Sequence, residues 1–120
     1  MSQKPNLIRD KTFEFAVHIA TLYKKLKQER EYQIGNQLFR SAGSIGANVE
    51  EAQAAQSRKD FISKISIASK EARETRFWLR VIEKSELIDL DLSSFLNEIE
   101  DIINIITKII KTTSEPVAAK

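Results

Sequence analysis

The sequence predicts an all-α fold: an antiparallel up-down-up-down four-helix bundle in one domain spanning residues 1–120. Three observations carry this. Apolar residues recur at three- and four-residue spacing in four long stretches, the period of an amphipathic helix. The connections between the stretches are short, which makes consecutive helices antiparallel neighbours. The chain has only three Gly and two Pro in 120 residues, too few for a turn-rich sheet.

The first helix is expected at about 7–27, after a tail at 1–6. Ile8, Phe15, Ala16, Ile19, Leu22, Tyr23 and Leu26 form its core stripe, and Phe13, Val17 and Ala20 a smaller patch roughly opposite. Its end is basic, with Lys24, Lys25 and Lys27, then Arg30. Such residues suit the negative end of a helix dipole; the sharper alternative is a rim that contacts phosphates.

The second helix is expected at about 33–54. Ile34, Leu38, Ala42, Ile45, Val49 and Ala52 form its apolar stripe. Gly35, Phe39, Gly43 and Gly46 form one flank, and Gln37, Ser41, Ser44 and Asn48 the other, with Arg40 and Glu51 beyond. A mid-helix Gly costs about 1 kcal/mol relative to Ala, so Gly43 and Gly46 predict close approach of another backbone. The polar ladder predicts hydrogen-bonded contacts, within the bundle or between subunits.

The third helix is expected at about 58–85. Ser57-Arg58-Lys59-Asp60 is a capping signature, since the Ser side chain can accept from the third amide. Phe61, Ile65, Ala68, Ala72, Leu79 and Ile82 form the main stripe, while Ile67, Phe77, Trp78 and Val81 lie on the far side. Trp78 and Phe77 read as packing or interface anchors. Arg73, Arg76 and Arg80 share a flank, suited either to ion pairs with Glu50, Glu51 or Glu74 or to phosphates. The linker 86–91 carries Leu87, Ile88 and Leu90 and should fold against the bundle end. The fourth helix is expected at about 92–112, with Asp91 or Ser93 as cap and a tail at 113–120. Its apolar residues, Phe95 through Ile110, span close to half the helical wheel, wider than the ~100° stripe one core needs. Surplus apolar surface on several helices predicts a homo-oligomer.

Catalytic chemistry lacks its parts. The chain has no Cys and one His, which leaves no nucleophile–base pair and no thiolate metal site. Glu14 and His18 read as a surface pair four residues apart. The Glu-x-x-His pairs of di-iron bundles are absent. Gly43-Ser-Ile-Gly46 matches a GxxG loop only superficially, because it lies inside a helical period. No cofactor, metal or membrane partner is expected. The absence of Cys and of a signal-like or membrane-spanning segment leads to a cytoplasmic expectation.

Two segments resemble a known signature. Gln37-Leu38-x-Arg40-Ser41-x-x-Ser44-Ile45-x-Ala47-Asn48-Val49-x-Glu51, followed by Phe61-Ile62-x-Lys64 and Lys70-Glu71-Ala72-Arg73-Glu74-Thr75-Arg76-Phe77-Trp78-Leu79, resembles the bacterial four-helix-bundle family, also called the 23S rRNA intervening-sequence protein family. Phe77 stands where Tyr is expected, and Val49-Glu50-Glu51-Ala52 where the family often has Ile-Ala-Glu-Gly. The resemblance implies a four-helix bundle assembled into a ring-like homopentamer, without enzymatic activity. It also implies kinship to an accessory protein of diversity-generating retroelements, a basic pentameric barrel that binds nucleic acid and a reverse transcriptase.

Two functional expectations follow. One is a non-enzymatic oligomeric scaffold associated with RNA or DNA through Lys24, Lys25, Lys27, Arg30, Arg58, Lys59, Arg73, Arg76 and Arg80. The alternative is a protein–protein adaptor with no direct nucleic-acid contact. The net charge of +2 is weak for nucleic acid, and five copies of +2 sum to only about +10. In both readings Gln37, Arg40, Ser41, Gly43, Ser44, Gly46, Asn48, Glu51 and Trp78 serve helix packing or the subunit interface.

Overall fold

In the computed structural model, which describes residues 6–115, four helices follow one another: α1 (Leu7–Gln28), α2 (Tyr32–Ala52), α3 (Arg58–Ser85) and α4 (Ser93–Ser114). Side chains at helical spacing converge on one core. Phe15, Ile19, Leu22 and Leu26 come from α1, Leu38 and Ile45 from α2, Ile65, Leu79 and Ile82 from α3, and Ile99 and Ile102 from α4, all fully buried. Burying each is worth about 1.5–3 kcal/mol, which outweighs the modest helix propensity of so many β-branched residues.

Contacts run α1–α2, α2–α3, α3–α4 and α1–α4. The helices therefore stand at the corners of a square, with α1 and α3 on one diagonal. Cross-links fix the antiparallel sense. Arg9 pairs with Glu50 between α1 and α2, Lys64 with Glu51 between α2 and α3, and Lys11 with Asp101 between α1 and α4.

Local chemistry sets the helix ends. Asn6 caps α1 by accepting from the Arg9 amide at 3.1 Å. Ser57 caps α3 by accepting from the Asp60 amide at 3.0 Å. Asp91 stands one residue before the α4 cap position and accepts from the Ser93 amide at 2.9 Å and from its hydroxyl at 2.6 Å; these bonds, the hydroxyl's first, hold the Asp91 carboxyl below its ordinary pKa.

Two ends differ from expectation. α2 stops at Ala52 because the chain tightens there, with Gln53, Ala54 and Ala55 donating to carbonyls only three residues back. α4 continues to Ser114, into the expected tail. The rest of that tail and residues 1–5 lie outside the described residues. The linker folds against the bundle end through Ile88, which is buried, and Leu87, which is half-buried, whereas Leu90, expected there too, is exposed.

Candidate functional site

The signature residues of α2 and α3 meet along the α2–α3 seam. Ser41 and Thr75 are both completely buried. Thr75 Oγ1 lies 2.8 Å from Ser41 Oγ, which in turn reaches the Leu38 carbonyl at 3.2 Å. The Glu71 carbonyl is a second acceptor 2.8 Å from Thr75. Above this pair Arg40 bridges two α3 carboxylates. Its Nη1 sits 3.2 Å from Glu71 Oε1, and its Nη2 donates to Glu74. The same Glu74 oxygen accepts from Trp78 Nε1 at 2.9 Å. The Trp78 bond leads in holding the Glu74 carboxyl below its ordinary pKa; burial opposes it, and the Arg40 bond and charge add to the lowering. Reciprocally, the Glu74 bond leads in raising Arg40.

The expected polar ladder divides. Ser41 makes the buried cross-helix contact. Asn48 turns back on its own helix, donating to the Ser44 carbonyl at 2.9 Å and hydroxyl at 3.1 Å. Gln37 is exposed and accepts from Arg40 at 3.4 Å. Glu51 pairs with Lys64 at 3.0 Å, and that bond raises the Lys64 pKa.

Of the two glycines expected at a close approach, Gly46 lies at ordinary van der Waals distance from another backbone and Gly43 meets none within the chain. A Cβ at Gly46 would sit 3.5 Å from the Thr12 carbonyl oxygen, so the α1 backbone does come near. At Gly43 nothing lies within 4 Å, and the position opens outward. Nearby, the Tyr23 and Phe39 rings stack at 4.8 Å.

The expected nucleic-acid contacts do not form one patch. Arg58 opens α3, while Arg73, Arg76 and Arg80 lie in its second half. The 22 residues from Arg58 to Arg80 span about 33 Å at 1.5 Å per residue. Lys24, Lys25, Lys27 and Arg30 gather at the end where α1 and α3 finish; Arg58 and Lys59 are at the other. Several cations are already engaged. Arg76 pairs with Glu100 of α4 at 2.5 Å, a partner outside the Glu50, Glu51 and Glu74 set. Arg58 donates to the Thr113 and Glu115 carbonyls at 2.6 and 2.5 Å. Lys25 lies 3.7 Å from Glu29, and Lys27 sits over the Tyr23 ring at 5.4 Å. Lys24, Arg30, Lys59, Arg73 and Arg80 have no ion-pair partner among the described residues. His18 pairs with Glu98 of α4 at 2.7 Å rather than with Glu14.

Thr75 and Glu71, central to the seam, were readable only as part of the signature. A weaker signal was present: Thr75 falls on the stripe of Ala68, Ala72, Leu79 and Ile82, and a polar residue in a core stripe demands a partner.

Two grooves flank the bundle. One of about 450 Å³ lies beside Trp78 and is lined by Gln33, Ile34, Asn36 and Gln37. The other, about 540 Å³, lies where α1 begins and α4 ends and is lined mainly by Leu7, Ile105 and Ile109 with Lys108 and Asn104. Large apolar side chains stand exposed on the outer faces, among them Phe13 at 67%, Leu7 at 59% and Phe77 at 56%. Among the described residues, no helix is long and apolar enough to cross a membrane.

No curated protein matches the chain. A crystal structure from Bacteroides thetaiotaomicron, described as a protein with unknown function from the S23 ribosomal protein family, is 44% identical, with a TM-score of 0.82, over 87% of this chain and 98% of that one. Residues 4–108 match the family described as 23S rRNA-intervening sequence protein. With that match over most of its length and the signature residues assembled along the α2–α3 seam, the chain belongs to the 23S rRNA-intervening sequence protein family.

Proposed function

We propose that the protein is a non-enzymatic scaffold that works as a homo-oligomer. The observation that carries this reading is the pair of large aromatic side chains left outside a complete core, Phe13 on α1 and Phe77 on α3. The core needs neither, and a solvated Phe forgoes the ~1.5–3 kcal/mol that its burial would return. Exposed apolar surface of this kind marks protein contacts. The family resemblance implies five copies in a ring. Light scattering tests the reading: a mass several-fold above 13.7 kDa at micromolar concentration supports it, and a monomer at all concentrations overturns it.

Nucleic acid is the ligand favoured for such a scaffold, on a separate observation. Lys24, Arg30 and Arg80 lie toward the end where α1 and α3 finish and have no ion-pair partner among the described residues. Repetition of this set in each copy multiplies the phosphate contacts. The test is RNA and DNA binding as a function of salt: affinity should fall steeply with ionic strength, and Lys24→Glu/Arg30→Glu should flatten that slope. No binding at low salt overturns the nucleic-acid reading. A protein partner recovered after nuclease treatment would then favour the adaptor.

A further inference from the structure

We infer that copies of this chain meet head to tail, the outer face of α1 in one copy lying against the outer face of α3 in the next. The inference rests on the self-association proposed above and names its surfaces.

On α1, Asp10, Phe13, Glu14 and Val17 follow at three- and four-residue steps, so they form one strip, and all four are exposed. On α3, Ile67, Lys70, Arg73 and Phe77 form a comparable exposed strip. Each strip has an apolar centre, but the charges are opposite: two carboxylates rim Phe13 and Val17, and two cations rim Ile67 and Phe77. None of these four charges has an ion-pair partner among the described residues, although every seam of the bundle is laced with ion pairs. A strip of one sign and a strip of the other, each with exposed apolar side chains, are complementary to one another and not to themselves. That excludes a two-fold contact through either strip and calls for a heterologous one.

The bundle places the strips so that such contacts can close. α1 and α3 stand on a diagonal of the square, so one copy can engage two neighbours without overlap. They also run in the same direction. Gly46 faces Thr12 across the α1–α2 seam, and Arg40 pairs with Glu71 and Glu74 across the α2–α3 seam. Through this register the Asp10 to Val17 strip is level with the turns around Lys70 and Arg73. Two copies can thus pair side by side with little shift along the helix axis, as a ring requires, and the assembly closes where the rotation between neighbours also closes. Farther along, both strips turn basic, at Lys24 and Lys84, which confines the contact to the stretch before them. Arg73 then serves assembly and leaves the nucleic-acid set.

Charge exchange tests the pairing, with mass read by light scattering and helicity by circular dichroism. Asp10→Lys/Glu14→Lys sets like charges across the contact and should return the protein to 13.7 kDa with unchanged helicity. Lys70→Glu/Arg73→Glu should do the same. Combining all four substitutions restores opposite signs and should restore the wild-type mass. Phe77→Ser, which removes the apolar centre without altering charge, should weaken assembly at least ten-fold in concentration. If the wild type assembles and both double variants do too, this interface is wrong while self-association stands. If the doubles dissociate and the four-fold variant stays monomeric, these two strips do not face each other. A monomeric wild type overturns the self-association reading itself.

Discussion

Ser41 Oγ and Thr75 Oγ1 lie 2.8 Å apart in the middle of the α2–α3 seam, and neither residue has any exposed surface. Two hydroxyls in an apolar interface favour one register, because a slip of one residue along either helix would break the bond between them. Each also has a backbone acceptor of its own, Leu38 O for Ser41 and Glu71 O for Thr75.

Those spare acceptors set the size of the expected effect. Thr75→Val keeps the shape and leaves Ser41 bonded to Leu38, so the loss should be one hydrogen bond, about 1 kcal/mol, rather than the full penalty of an orphaned group. Ser41→Ala should cost about the same. The double variant should cost clearly less than the two together, since both singles remove the same bond. Urea unfolding with an unchanged m-value checks it; strict additivity would show that the two hydroxyls act independently.

The second prediction concerns acid. Folding holds the Glu74 carboxyl below its ordinary 4.5, first through the Trp78 indole and then through Arg40. A group whose folded pKa is depressed adds stability above its unfolded pKa and loses it as pH falls through the folded one. The contribution is therefore intact near neutrality and drains away below pH 4.5. Glu74→Gln should lower stability at neutral pH and flatten its decline toward acid. Trp78→Phe should do so in part, because Arg40 remains. Asp91 is depressed too, so some acid sensitivity should survive in both variants. Urea midpoints measured from neutral pH to about pH 3 decide the matter, and parallel curves for Glu74→Gln and wild type would refute it.

The glycines of α2 give a third. Gly43 has open space where a Cβ would go, and Gly46 has only an ordinary contact with Thr12 at 3.5 Å. Gly43→Ala should therefore stabilise the folded chain by about 1 kcal/mol through helix propensity alone. Gly46→Leu, which drives a large side chain toward the α1 backbone, should lose about 1–3 kcal/mol. Gly43→Leu should fold normally, so any loss of assembly it causes would locate an intermolecular contact at that position. Thermal unfolding and light scattering read the two effects separately.

Much of this was legible in sequence because it repeats along one helix. The buried stripes of α1 and α2 follow from the 3.6-residue period, and the Ser57 cap from its spacing to Asp60. What escaped depends on how one helix is registered against another. Nothing within α3 tells that Arg76 meets Glu100, or within α1 that His18 meets Glu98 rather than Glu14 four residues away. Gly43 and Gly46 share a flank of the wheel, yet one faces the Thr12 carbonyl and the other faces outward, a distinction set by where α1 crosses. The α2–α3 seam was the exception, because its residues were readable as a signature before their contacts were known.

The last prediction turns on two connections. Arg30 and Glu86 hold φ of 63° and 53°, the left-handed conformation that glycine adopts most readily. Both close a helix in the same way. Glu31 donates to the Leu26 carbonyl and Arg30 to Lys27 at the end of α1, and Leu87 donates to Ile82 and Glu86 to Glu83 at the end of α3. These paired bonds satisfy the last carbonyls and require a left-handed residue at the position glycine usually fills. A side chain there costs about 1–2 kcal/mol. Arg30→Gly and Glu86→Gly should each raise stability by about 1 kcal/mol, even after allowing for glycine's greater freedom in the unfolded chain. Gln28→Gly, two residues earlier and in helical conformation, should lose about that much. Opposite signs for neighbouring glycine substitutions, read from urea midpoints, are the mark of a backbone requirement. A loss at both Arg30 and Gln28 would show that the Arg30 side chain contributes more at that turn than its backbone strain costs.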